Sequence, residues 1–104
     1  MFPVKCDPVR ETEDFQLTLF QTPRYGLKRG YKIVFRQSFQ GKTHEDVMYQ
    51  LFQLLNVRER MPEDYSARFV GTGDIVSVER GSHSPIYYEL KPGGWKEVRR
   101  LRVL

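Results

Sequence analysis

Hydrophobic and polar residues alternate along 15–22, where Phe15, Leu17 and Leu19 fall on one side of an extended chain and Gln16 and Thr18 on the other. That period of two predicts a half-buried strand. A turn-rich segment from Thr22 to Gly30, punctuated by Pro23, Gly26 and Gly30, leads into a second alternating run, Tyr31 to Gln40. There Tyr31, Ile33, Phe35 and Phe39 are expected on one face, with Lys32, Arg36 and Ser38, and Val34 among them, on the other. Neighbouring strands joined by one loop predict an antiparallel hairpin, although this loop is longer than a hairpin needs.

The pattern then changes period. Val47, Met48, Leu51, Phe52, Leu54 and Leu55 recur at spacings of three and four, which places them on one face of a helix. Thr43 is the expected N-cap and Asp46, three residues on, completes an imperfect capping box. Glu45 and Asp46 in the first turn suit the helix dipole. The helix is expected to end at Asn56 or in the stretch up to Pro62. Gly71-Thr72-Gly73-Asp74 breaks the chain before the β-branched run Ile75 to Glu79. Two more strands are predicted, Ile86 to Leu90 and Trp95 to Val103, separated by Lys91-Pro92-Gly93-Gly94.

The predicted order is β-β-α-β-β-β, an α+β single domain. A mainly antiparallel, twisted sheet would carry one principal helix on one face. Residues 1–14, with Pro3 and Pro8 and no periodicity, read as a flexible leader to a domain spanning 15–104. At 104 residues the chain has room for one small core and no second domain. The lone Cys6 excludes an intramolecular disulfide, and the start lacks the charged and apolar regions of a secretory signal. With no apolar run of spanning length, a cytoplasmic location is expected.

The formal net charge is +4, unevenly distributed. Five bases and no acid lie between Arg24 and Arg36, and five bases against Glu97 alone lie between Lys91 and Leu104. Elsewhere twelve acids outnumber seven bases. Two basic segments in one small domain predict a surface for an acidic protein partner or for phosphates, against the plainer reading of solvated strand faces and loops. The expected partner-binding residues are Arg24, Tyr25, Lys28 and Arg29 in the first loop and Trp95, Lys96, Arg99 and Arg100 in the last strand.

Candidate chemistry is sparse. Cys6, His44 and His83 stand at no metal-ligand spacing, and His44 is expected as a surface residue at the helix start. Ser82-His83-Ser84 is explained by a turn more simply than by nucleophilic catalysis, because adjacent side chains in a turn diverge. Gly71-Thr72-Gly73 precedes a strand, whereas a phosphate cradle opens a helix; Asp74 is expected to bond to turn amides. No catalytic, cofactor or metal residue is therefore assigned, and no enzymatic activity is expected. Tyr25, Tyr87, Tyr88 and Trp95 lie among bases, so nucleic-acid binding through loop 24–29 and strand 95–102 is the alternative function. Tyr88, however, is expected in the core.

The motifs resemble a family. Phe52-Gln53-Leu54-Leu55-Asn56 closes the helix, followed by Met61-Pro62-Glu63-Asp64-Tyr65, Gly73-Asp74-Ile75-Val76, Tyr87-Tyr88-Glu89-Leu90 and Gly94-Trp95-Lys96-Glu97-Val98. This succession resembles the YodL-like domain of Gram-positive bacteria over residues 15–103. Leu19-Phe20-Gln21-Thr22-Pro23 with Tyr25-Gly26 is similar to its short stand-alone members from spore-forming bacilli. Leu55-Asn56 departs from the usual Phe-Asn. The resemblance implies a non-enzymatic module linked to cell-shape control, an inhibitor or modulator of actin-like rod-shape filaments. A monomer or weak dimer is expected.

Overall fold

The computed structural model describes residues 12–24, 27, 29–57 and 69–103. The elements are β1 (Glu13–Gln21), β2 (Lys32–Gly41), α1 (His44–Asn56), β3 (Ile75–Glu79), β4 (Ile86–Lys91) and β5 (Gly94–Val98), then a 3-10 turn, Arg100–Val103. All neighbouring strands are antiparallel, in the order β2-β1-β3-β4-β5. The α+β architecture expected from the sequence is present. The leader residues 1–11, Tyr25, Lys28 and the segment with Met61-Pro62-Glu63-Asp64-Tyr65 lie outside the described residues. Among the described residues no helix is long and apolar enough to cross a membrane.

The first hairpin carries one departure. Leu19 pairs with Phe35 but Phe20 pairs with Ile33, so Val34 is the extra residue of a β-bulge. A one-residue slip inverts facing. Phe35 and Phe39 keep to the helix side with Phe15, Leu17 and Leu19, whereas Ile33 turns to the other face and is 57% exposed. The strand also starts two residues before its predicted beginning, since Glu13 and Asp14 pair with Gly41 and Gln40.

Thr43 has an extended backbone and its Oγ1 accepts from the Asp46 N–H at 3.1 Å; Asp46 Oδ2 in turn accepts from the Lys42 N–H at 3.1 Å. Both bonds satisfy donors near the helix start that no helical carbonyl reaches. Gly41 makes this tight entry possible, because a Cβ there would lie 2.6 Å from Asp46 Oδ2 and 2.7 Å from Val47 Cγ1. From this entry α1 lays Val47, Met48, Leu51 and Leu55 against the sheet, all fully buried. Phe52 and Leu54 are partly buried against the same core. Each such side chain removed from water contributes about 1.5–3 kcal/mol before entropy is counted.

β3 is the central strand, and Ile75, Val76 and Val78 are buried on both of its faces. Its short β-branched run suits that position. The last strand is shorter than predicted: it ends at Val98, opposite Tyr87, and Arg100–Val103 winds into the 3-10 turn. The partner strand explains this. β4 begins at Ile86, directly after Pro85, which has no N–H to extend the ladder.

Candidate interaction surface

Strand register sorts the basic residues between the two ends of the sheet. The β1–β2 loop, the turn before β3 and the β4–β5 turn share one end, because Phe20 pairs with Ile75, Ile75 with Glu89, and Lys91 with Gly94. Arg24, Arg29, Lys32, Lys91 and Lys96 are all exposed there. Asp74 and Glu89, the described carboxylates at that end, are buried. Glu97 is one position further along β5.

A hydrogen-bonded scaffold holds this end. Asp74 Oδ2 accepts from the Gly71 N–H at 2.8 Å and from Gln21 Nε2 at 3.0 Å. The Gln21 amide also donates to the Phe69 carbonyl at 3.3 Å. The Asn56 side chain clamps Val70 twice, donating to its carbonyl at 2.9 Å and accepting from its N–H at 2.8 Å. The Tyr31 hydroxyl donates to the Gly73 carbonyl at 2.7 Å. Gly73, with φ of +96°, supplies the left-handed turn into β3. Loop and turn are thus cross-linked by side chains, so the cations they carry sit on a fixed base. Asn56 and Asp74, residues of the recurring motifs, act here as structural fasteners. Asp74 bonds a turn amide as the sequence predicts.

The predicted site residues are divided by this arrangement. Arg24 and Arg29 share an end with Trp95 and Lys96, about 14 Å apart across three strand spacings. Trp95 is half-buried against the core on the helix side, opposite Leu90, and Lys96 points to the other face beside Glu89. Arg99 and Arg100 are exposed beyond Val98, about 13 Å along the strand from Gly94. There they neighbour the β3–β4 turn, which the His83 N–H closes onto the Arg80 carbonyl at 3.0 Å. The two predicted basic segments therefore meet only in part. Lys32 and Lys91, which join the first group, were identifiable only from strand register.

The opposite end holds a second cluster. His44 Nδ1 and the Tyr88 hydroxyl are 2.7 Å apart, and the imidazole meets the rings of Phe15 and Tyr88 edge-on at 5.4 and 5.7 Å. His44 is half-buried in this aromatic stack, not on the open surface as the sequence suggests. Burial, and then the carboxylates of Glu97 and Glu45, push the Tyr88 phenol above its ordinary pKa of 10.0. At neutral pH the phenol keeps its proton, and one hydrogen bond joins the Tyr88 hydroxyl and His44 Nδ1.

A phenol whose pKa is raised by folding contributes fully below pH 10 and progressively less as pH rises through the folded value. Urea midpoints of the wild type should fall more steeply than those of Tyr88→Phe as the pH rises above 10. Equal slopes would remove Tyr88 from the alkaline response.

Comparison with known proteins agrees with the motifs. No family model and no solved structure matches the chain. The chain is 44% identical over 89 residues to the "Uncharacterized protein YodL" of Bacillus subtilis (strain 168), covering 86% of each protein. Similarity at that level over that share of both proteins reaches well beyond the short motifs, and the chain belongs to the YodL-like family.

Proposed function

We propose that this protein is a small, non-enzymatic, cytoplasmic interaction module that regulates an acidic protein partner. The actin-like cell-shape machinery is the partner that the family resemblance puts first. The observation that carries the reading is the rim of exposed cations, Arg24, Arg29, Lys32, Lys91 and Lys96, on a hydrogen-bonded base whose described carboxylates are buried. Such a rim steers an acidic surface into register. Sequence-tolerant nucleic-acid binding would need exposed aromatic platforms. Trp95 and Tyr88 instead pack against the core, and Tyr87 lies against Phe20 at 6.0 Å.

The test is induced expression in a rod-shaped Gram-positive host with cell width scored by microscopy. Wild-type protein should widen or round the cells, and replacing Arg24, Arg29 and Lys96 together with Ala should restore rods while circular dichroism stays unchanged. Normal rods despite abundant soluble wild-type protein would reject the cell-shape assignment. Binding of a single-stranded oligonucleotide, steeply weakened by salt and lost in the triple variant, would replace it with the nucleic-acid reading.

A further inference from the structure

α1 lies on one face of the sheet, and among the described residues no helix or strand covers the other. Near the cationic end of that second face, pairing sets Ile33, Phe20, Ile75, Glu89 and Lys96 in one row across all five strands. Ile75 and Glu89 in the middle of the row are buried. The rings of Phe20 and Tyr87 meet across β3 at 6.0 Å, and Tyr31 reaches past β1 to the Gly73 carbonyl. What remains at the surface is apolar on the β2 side, where Ile33 is 57% exposed beside half-buried Phe20 and Tyr87. On the β5 side it is cationic, with Lys91 and Lys96 exposed.

Ile33 stands on this face because of the bulge at Val34. In an unbroken register it would point to the helix side, with the core. Bulges re-aim side chains at the cost of an interrupted ladder. Here the result is a large apolar side chain held out in water on a paired strand, next to two aromatic rings.

Charge decides what fits. Lys91 and Lys96 make no ion pair among the described residues. The other carboxylates of this face, Asp14 and Glu79, lie toward its far end, where Glu79 meets Arg36 at 3.7 Å. A second copy matches badly. Stacked rim to rim it brings no exposed described carboxylate to the lysines, and stacked rim to far end it lays the apolar row on Asp14, Gln16 and Glu79. A face, unlike an edge, offers no ladder to an incoming chain, so the visitor must satisfy its own backbone bonds, as a helix does.

We propose that the face opposite α1 docks an amphipathic, acid-bearing helix of a protein partner. Its apolar stripe packs on Ile33, Phe20 and Tyr87, and carboxylates toward one end meet Lys91 and Lys96. Ile33 and Lys96 are four strand spacings apart, about 19 Å, which a helix of about thirteen residues spans. The proposal rests on the reading of the protein as a protein-binding module and names the element that module recognises.

The experiment uses the full chain and a fluorescein-labelled peptide of about fourteen residues, with Leu at helical spacing and Glu between. Anisotropy should saturate, and amide shifts should move at Ile33, Phe20 and Tyr87 and not at Tyr49 or Leu54 of α1. Ile33→Thr keeps the β-branched preference for strand and should weaken binding about tenfold. Lys91→Ala with Lys96→Ala should weaken it and flatten its salt dependence. A scrambled Leu/Glu peptide keeps the charge without the stripe, and a Leu/Lys peptide keeps the stripe without the charge; each should bind at least about tenfold more weakly.

No binding of the Leu/Glu helix, equal binding of either control peptide, or indifference to Ile33→Thr would each overturn the proposal. So would concentration-dependent shifts at the same amides without peptide, since a second copy would then hold the face. Ile33→Thr leaves every cation of the rim in place. Failure of the peptide alongside a cell-width effect that the Arg24, Arg29 and Lys96 variant abolishes therefore removes this face and keeps the rim.

Discussion

Replacing Asp74 with Ala lowers the free energy of unfolding by about 3 kcal/mol, the expected result of leaving polar groups without a charged acceptor in a buried site. Asp74 is 1% exposed, and its Oδ2 receives the Gly71 N–H and the Gln21 amide. Hydrogen bonds to a charged group are worth about 1.5–3 kcal/mol each, and at such low exposure the stranded donors lie away from bulk solvent. The loss is a large share of a small domain's total stability of about 5–15 kcal/mol. Chemical denaturation gives the magnitude, and hydrogen exchange gives the location. Gly71 should exchange faster by a larger factor than the middle of β1. A uniform acceleration across the sheet would show that Asp74 supports global packing and not this turn.

Leu51→Ala is expected to cost about 2–5 kcal/mol, because it combines lost transfer energy with a cavity that the surroundings only partly close. Leu51 is fully buried at the middle of α1, between Met48 and Leu55 on one side and the leucines of β1 on the other. With a urea slope of about 1.5 kcal/mol/M, the midpoint should fall by about 1–3 M. The same change at Tyr49, which is 62% exposed on the far side of the helix, should shift it by less than about 0.5 M. Equal effects at both positions would contradict the placement of the helix face.

Those two helix positions were legible in the sequence because a period of three and four needs no tertiary knowledge. The same holds for the alternation in β1, the Thr43 cap and the β-branched residues of β3. What was not legible depended on partners distant in the chain. Nothing local marks Val34 as a bulge, since Tyr31 to Phe39 alternates acceptably in either register; only pairing with Leu19 and Phe20 decides that Ile33 faces out. His44 looks like any first-turn residue until Tyr88, forty-four positions later, is placed beside it.

The candidate surface followed the same rule. Charge clustering along the chain identified Arg24 and Arg29 as exposed cations. It also grouped Lys96 with Arg99 and Arg100, although the run of β5 carries the arginines to the other end of the sheet. Proximity in sequence is a poor guide along an extended strand, where each residue advances by about 3.3 Å. It is a better guide around a turn, which is why Lys91 and Lys96 stay together.

The strand order has a kinetic meaning as well. β1, β2 and α1 form one locally connected unit, and β3, β4 and β5 form another, each assembled through neighbours close in sequence. Among the described residues the sheet ladder joins the two along a seam, the five residue pairs from Gln16–Glu79 to Phe20–Ile75. Closing that seam joins positions more than fifty residues apart and carries the largest loop-closure entropy in the sheet. Mutations in the seam should therefore slow folding, whereas those confined to the β4–β5 meander should chiefly speed unfolding. The protein assembles as two halves that must find each other, and β3 is the strand on which they meet.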